Sequence, residues 1–376
     1  MEYYILGETG LKVSKLGLGC EWLHKQTSET FVNVIRKAIQ HGINYFDLVY
    51  NFEDDLSKTY EALKGYSRDK YIITHHLGSG IKKTEKGLKY QKHRSKKKTR
   101  QYLDTYLDIL DIDYADIGMV HFVMNQKQYV QLRDEKGIFD LAKQLKQEGK
   151  IRYIGMSTHD TNAVIQAVKD EMVDVVMFQV NMANNAMIDR NKALSICEEN
   201  RIGVVAMKPY GGGRLLMEGQ VRFAGYHRGG DTLKKKIIDP ISTVQCLHYV
   251  LSQPGLSVAL PGVKNEEELD GVLAYLKAKP EEKDFSEVLK SFNEYREGEC
   301  VFCDHCSPCP QGIDIGEIFR NYHSATVTGV DHVKSTYDLL NAHASNCTKC
   351  GVCEPRCPFG VRIMNQLTHT AKLFGK

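Results

Sequence analysis

The sequence predicts an α/β fold of (β/α)8 TIM-barrel type followed by a small, mainly helical domain, and three observations predict it. Eight short, apolar, β-branched runs alternate with longer amphipathic segments up to about residue 280. No Gly-x-Gly-x-x-Gly follows the first run, which argues against a doubly wound open sheet, the other arrangement of such an alternation. Eight of the 11 cysteines then fall in two tight groups between Cys300 and Cys357.

The chain opens with YYILGETGLKVS, which reads as a hairpin with Glu-Thr-Gly at its turn, placed to cap a barrel floor. The candidate strands are residues 16–20, 44–49, 70–74, 116–122, 152–157, 175–180, 203–209 and 257–262. Between the first two, SETFVNVIRKAIQHG puts Phe31, Ile35, Ala38 and Ile39 on one helical face, with Ser28 to cap its start and Gly42 its end. Strands separated by such helices are parallel, buried on both sides and joined by right-handed crossovers. Eight such units in this length make a barrel. The charged stretch KAKPEEKDF at 277–285 separates a barrel over residues 1–280 from a second domain over 281–376. There, IGEIFRNYHS and VDHVKSTYDLL have helical spacing.

The second domain carries the most specific motif. Cys347, Cys350, Cys353 and Cys357 follow C-x2-C-x2-C-x3-C-P, and Cys300, Cys303, Cys306 and Cys309 follow it with one residue fewer before the last Cys-Pro. Thiolates are soft ligands, and two-residue gaps let successive sulfurs curl around one [4Fe-4S] cluster. Proline after the fourth cysteine turns the chain away, so that sulfur reaches the other cluster. This predicts two 4Fe-4S clusters, one held by Cys300, Cys303, Cys306 and Cys357, the other by Cys347, Cys350, Cys353 and Cys309. Zinc and disulfides are the competing uses of cysteine, but neither calls for Cys-Pro at both fourth positions. Cys20, Cys197 and Cys246 are scattered and read as buried thiols.

A net charge of +3 favours no class of partner. The opening MEYYILGETG has no basic-then-apolar leader, and no apolar run suffices to span a bilayer, so a cytoplasmic protein without membrane attachment is expected. One local charge run stands out, IKKTEKGLKYQKHRSKKKTR at 81–100, after the third strand. It reads either as a solvated helix start or, over Lys82 to Arg100, as a docking patch for an acidic redox partner such as ferredoxin or flavodoxin. No recognition motif or stacking platform accompanies the lysines, so nucleic acid is not expected.

The strand ends resemble those of the aldo/keto reductases, and the whole chain resembles the branch of that family with a C-terminal ferredoxin-type domain. GINYFDLVYNF is similar to G-x-N-x-F-D-T-A-x-x-Y, DIGMVHF to the strand of the catalytic histidine, and GKIRYIGMSTHD to the strand before the nicotinamide-contacting loop. FQVNMAN, VVAMKPYGGG and LPGVKNEEEL resemble the remaining cofactor-side segments. The resemblance implies reduction of a small-molecule substrate by a tyrosine proton donor, tuned by a lysine and an aspartate, beside a histidine that orients substrate. Asp47 and His121 match. The tyrosine position is Phe52, which has no transferable proton, and the lysine position, after KYIIT, is read as His75. Tyr50, His75, His76 and His121 are the candidates for a substitute acid.

For a nicotinamide, the resemblance implies Ser157, Gln179 and Thr158 at the carboxamide and Met207 over the ring. Lys208, Gly211, Gly212 and Gly213 would lie near the pyrophosphate, and Lys264 near a 2′-phosphate, with Glu268 where an arginine often stands. NADP(H) is admitted as cofactor, and a flavin stays open. Since hydride carries two electrons and a cluster one, direct coupling needs an intermediary or a tolerant substrate. The leading expectation is therefore an iron–sulfur oxidoreductase that relays electrons to a barrel site of non-standard mechanism. The alternatives are a nicotinamide-dependent reductase with structural clusters, and an electron-transfer module with a decayed barrel.

Overall fold

We describe the chain from a computed structural model, in residues 1–84, 87–134, 137–182, 190–217, 221–222, 236–237, 240–253, 255–290, 298, 300, 306–328, 330–357 and 360–376. It divides into two compact units. The first gathers Met1–Val180, Asp189–Pro209 and Thr243–Asp284, the second Asn181–Ile188, Tyr210–Ser242 and Phe285–Lys376.

In the first unit the elements run β1 (Tyr3–Ile5), β2 (Lys12–Ser14), β3 (Leu18–Gly19), α1 (Ser28–Gln40), β4 (Tyr45–Leu48), α2 (Glu53–Leu63) and β5 (Ile72–Leu77). They continue with β6 (Ser79–Thr84), β7 (Gly87–Lys92), α3 (Lys96–Leu110), β8 (Ala115–Val123), α4 (Gln126–Arg133), α5 (Ile138–Gln147), β9 (Ile151–Thr158) and α6 (Thr161–Lys169). Next come β10 (Val175–Gln179), α7 (Arg190–Glu199) and β11 (Gly203–Met207). After β12 (Val221–Arg222) and β13 (Lys236–Ile237), which form an antiparallel pair in the second unit, the first resumes with α8 (Thr243–Leu251), β14 (Leu256–Leu260), α9 (Glu266–Leu273) and α10 (Pro280–Lys283).

Eight parallel strands pair in the order β14-β11-β10-β9-β8-β5-β4-β3, and parallel bridges Leu16↔Ala259 and Gly19↔Gly262 join the two edges into a barrel. All eight expected runs lie on these strands. Side chains of Thr27, Ser95, Asn125, Asp160 and Asn265 cap the starts of α1, α3, α4, α6 and α9, where amide donors lack partners. The Thr27 hydroxyl, one residue before the expected Ser28, accepts the Thr30 amide in α1, and Gly42 follows the helix at φ 87°. The β1–β2 hairpin sends Leu6, Leu11 and Val13 into the cluster that fills the barrel with Tyr45, Ile72, Ile117, Met119, Val175, Met177, Val205, Val258 and Leu260.

The basic run after β5 includes the expected helix start, but a hairpin precedes it. This hairpin, β6–β7, is antiparallel and registered Ile81↔Tyr90, and α3 then begins under a Ser95 cap. Gly80 allows its approach to α3, because a Cβ there would stand 2.1 Å from the Tyr102 ring.

In the second unit α11 (Ser286–Lys290), α12 (Ile315–Thr328), α13 (Val330–Asp338) and α14 (Ile363–Phe374) carry the mainly helical domain. Ile315, Ile318, Phe319, Tyr337, Leu367 and Phe374 are among its core residues, and Tyr337 stacks on Phe374 at 3.8 Å. No helix among the described residues is long and apolar enough to cross a membrane.

Candidate active site

Side chains alternate between the two faces of a strand, so parity decides which residues enter a barrel. Tyr45, Ile72, Ile117, Met177 and Val205 fill the interior. At matching parity further along the same strands stand Asp47, His76, His121, Gln179 and Met207, at the carboxyl ends where barrel chemistry is built.

Asp47 anchors the group. Its Oδ1 accepts a hydrogen bond from Thr74 Oγ1 at 2.5 Å and lies 2.7 Å from Nε2 of His76, all three side chains being buried. The His76 ring meets His121 edge-on with centroids 4.2 Å apart. Nδ1 of His121 lies 3.3 Å from the Tyr90 hydroxyl.

His75, the residue read into the lysine position, is a correction. One residue out of phase with His76, it leaves the barrel interior and packs its ring 4.6 Å from Tyr106 of α3. Burial, with His76 nearby, lowers its pKa from 6.5 to about 3, so it stays neutral in the core. His76 is the one that meets Asp47.

Phe52 stacks on His24 with centroids 4.3 Å apart, and Nδ1 of His24 lies 2.5 Å from Asp55 Oδ2. Tyr50 donates its hydroxyl to Glu21 at 3.3 Å, away from the Asp47 pair, and sets its ring edgewise 4.9 Å from Tyr90. Tyr90 was absent from the sequence-derived candidates because it lies in the charged run. Its side chain is half-buried, and burial first, then the charges of Asp47 and Glu21, pushes its pKa well up against the opposing effect of the Ser79 hydroxyl.

Beside Tyr90, Arg94 donates to the carbonyls of His121 and Phe122, both at 3.0 Å. Phe122 adopts φ 54°, and the β8–β9 register shifts between Val120 and Val123, so Arg94 braces the irregular strand end that carries His121. Burial lowers its guanidinium pKa to about 10. Other cations of the run are also engaged. Lys96 pairs with Asp140, and Arg100 donates from Nη2 to Glu148 at 2.7 Å. Lys82, Lys89, Lys97 and Lys98 are exposed.

On the other side of the mouth, Ser157, Gln179 and Met207 end neighbouring strands, in the registers Met177↔Ser157 and Gln179↔Met207. Their buried hydroxyl and carboxamide, with a thioether beside them, suit an amide on a flat ring. Thr158 has the opposite parity, and its Oγ1 accepts the Asp160 amide at 3.0 Å. Lys208 sits at φ 57°. Gly211, Gly212 and Gly213 belong to the second unit and take φ values of 58°, 73° and 87°, which only glycine adopts readily in succession. Lys264 extends its Nζ over the Trp22 ring, 5.5 Å from the centroid, while its amide donates to Glu268 Oε2 at 2.8 Å. The first turn of α9 is Glu266, Glu267 and Glu268.

In the second unit, Cys309, Cys347, Cys350 and Cys353 line one small cavity, partly open to solvent, with Ile315, Met364 and Leu367 among its walls. Burial pushes the Cys353 thiol up, and the Cys347 and Cys309 sulfurs act in the same direction. The Lys349 amide donates to Cys347 Sγ at 3.4 Å, the kind of N–H···S contact that surrounds cluster sulfurs. Cys300, Cys306 and Cys357 pack in or against the core of the same unit. Cys303 lies outside the described residues.

Comparison with known proteins agrees with this architecture. The model of the aldo/keto reductase family matches residues 15–293, and that of a 4Fe-4S dicluster domain matches residues 299–362. The chain belongs to the aldo/keto reductase family. It is 26% identical over 282 residues to the NADH-specific methylglyoxal reductase of Escherichia coli, spanning 68% of this chain and 83% of that one. It is also 26% identical over 293 residues to the L-galactose dehydrogenase of Arabidopsis thaliana, spanning 72% and 86%. The solved aldo-keto reductase AKR11C1 of Bacillus halodurans has the same fold, with a TM-score of 0.61 at 21% identity, covering 78% of this chain and all of that one.

This aldo/keto reductase is thus an oxidoreductase with a 4Fe-4S domain. His76 was among the candidate acids but not the residue set beside Asp47, and strand parity read from Ile72 is the signal that places it there. Tyr90 carried a weaker signal, alternation with Leu88 and Ile81 inside a lysine-rich run.

Proposed function

We propose that this aldo/keto reductase reduces a small organic substrate at the barrel mouth, with electrons relayed through two [4Fe-4S] clusters. The single observation carrying the relay is the cavity that Cys309, from the first cysteine group, shares with Cys347, Cys350 and Cys353 of the second. It supports ligand exchange between the groups, the arrangement that keeps two clusters close enough to exchange electrons. The first cluster would be held by Cys300, Cys303, Cys306 and Cys357.

At the mouth, Asp47 holds His76 by its Nε2, and the buried Nδ1 of His76 has no hydrogen-bond partner among the described residues. Asp47 thus fixes the orientation of the His76 ring and leaves Nδ1 as its free polar atom for a substrate. His121 orients the substrate from the neighbouring strand. A nicotinamide, when bound, supplies hydride, and Ser157, Gln179 and Met207 would hold it. The glutamates beside Lys264 favour NADH over NADPH, because they would oppose a 2′-phosphate. The likeness to an NADH-specific methylglyoxal reductase supports the same preference and a small aldehyde as substrate class. The exposed Lys82, Lys89, Lys97 and Lys98 support docking of an acidic one-electron carrier of the ferredoxin or flavodoxin type.

The test is the visible spectrum of anaerobically purified protein, recorded before and after NADH and then dithionite, with substrate present. The relay reading expects an iron–sulfur band that bleaches with the electron donor and recovers as substrate is consumed. A band that keeps its redox state throughout turnover would reduce the clusters to structural supports. The buried Ser157 and Gln179, with the half-buried Met207, favour that second reading, a nicotinamide-dependent reductase with clusters outside the electron path.

A further inference from the structure

The geometry points to Tyr90, brought into the mouth by the β6–β7 hairpin, as the phenol that donates a hydrogen bond and then a proton to the substrate's carbonyl oxygen. The inference rests on the carbonyl-reducing form of the proposed function and concerns a residue outside the segments that carry the family resemblance.

Three observations support it. The side chain at the family's donor position is Phe52, whose ring is stacked on His24 and has no proton to give. Tyr90 is its neighbour, with ring centroids 6.5 Å apart, so a phenol reaches the same part of the mouth from a different segment. Its hydroxyl lies 3.3 Å from Nδ1 of His121, whose ring meets His76 at 4.2 Å, and His76 bonds Asp47 at 2.7 Å. A line of polar side chains therefore runs from the buried carboxylate to the phenol. Tyr50, the nearer residue in sequence, gives its hydroxyl to Glu21.

The arrangement assigns a tautomer. A phenol has one hydrogen, and for it to go to the substrate, the contact with His121 must run the other way, Nδ1–H donating to the Tyr90 oxygen. In the reduction the carbonyl carbon takes hydride from reduced nicotinamide, the C=O π pair moves to oxygen, and that oxygen takes the Tyr90 proton. The carbonyl gains two electrons and the nicotinamide loses two. The Tyr90 oxygen recovers its proton from His121, which is refilled from solvent. Asp47, Glu21, Tyr50 and His121 are the ionisable groups that face Tyr90. Burial first, then the two carboxylates, keep the phenol protonated against the opposing effect of the Ser79 hydroxyl, and an alkoxide is basic enough to take its proton.

The test compares wild type with Tyr90→Phe, which keeps the ring and its packing, and with 3-fluorotyrosine at position 90, which makes the phenol more acidic. Reduction of a panel of small aldehydes by NADH is measured against pH, with thermal unfolding as the folding control. The expected result is a loss of kcat of about 100-fold or more in Tyr90→Phe with KM little changed, and a kcat altered by the fluorine substitution with KM again little changed. Activity of Tyr90→Phe within about three-fold of wild type, or a kcat indifferent to the fluorine, overturns the assignment. If wild type reduces no aldehyde, the proposed reaction fails, and calorimetric binding of acetate, an oxyanion probe, then decides the role of Tyr90. Weakening of about ten-fold or more in Tyr90→Phe upholds a hydrogen-bond donor at the oxygen site, and unchanged affinity overturns it.

Discussion

Nε2 of His76 lies 2.7 Å from Oδ1 of Asp47, while His75, its neighbour in sequence, packs on Tyr106 outside the barrel. A strand reverses its face at each residue, so only one of two adjacent histidines can join the carboxylate. The variants that follow separate the two.

Restoring the family's chemistry requires position 76. In a Tyr90→Phe background, Phe52→Tyr combined with His76→Lys is expected to restore aldehyde reduction by NADH, measured as nicotinamide oxidation. In the same background Phe52→Tyr combined with His75→Lys is expected to restore none and to lower the melting temperature, since it buries an unpaired ammonium against Tyr106. Equal gains from both pairs would contradict the assignment by strand parity.

His75 should make stability depend on pH with a defined sign. Its folded pKa is depressed from 6.5 to about 3, so between these values the unfolded chain binds the proton and the folded one does not. Stability from this group is complete above pH 6.5 and falls as pH decreases towards 3, by at most about 1.4 kcal/mol per pH unit. His75→Phe should therefore lose less thermal stability than wild type between pH 7.5 and pH 5. An identical drop in both proteins would show that His75 is not the titrating group.

For the clusters, the informative substitution is Cys309→Ala, because this residue sits in the first motif by sequence and in the second group's cavity by structure. Iron and acid-labile sulfide are expected to fall by about half, with the same electron paramagnetic signal lost as in Cys353→Ser. Loss of a different cluster signal in the two variants would return Cys309 to its own sequence group.

Nucleotide preference turns on α9. Glu268 now accepts the Lys264 amide at 2.8 Å, in a first turn that also holds Glu266 and Glu267. Glu268→Arg replaces a repulsive charge by an attractive one near a 2′-phosphate and should tighten NADPH binding by about ten-fold, leaving NADH nearly unchanged. Fluorescence titration of both nucleotides measures this. Parallel changes for the two would place the 2′-phosphate elsewhere.

Much of this protein was legible in its sequence, because the signals are local. A C-x2-C-x2-C spacing fixes what a short loop can wrap around, and a run of β-branched residues between amphipathic helices fixes a buried parallel strand, wherever the rest of the chain lies. The eight strands follow from such signals, and Asp47 and His121 from the segments that resemble the family's. Tertiary structure decided what depends on facing and on distant contact. Which of His75 and His76 enters the barrel is a matter of parity, and a reading displaced by one residue reverses it. Tyr90 lies in a run whose lysines mask its strand periodicity, and it reaches His121, 31 residues away, because Gly80 lets the hairpin settle against Tyr102. Charge in sequence likewise overstated the basic patch, since Lys96 and Arg100 find Asp140 and Glu148 on α5 and just after it, partners no local pattern could name.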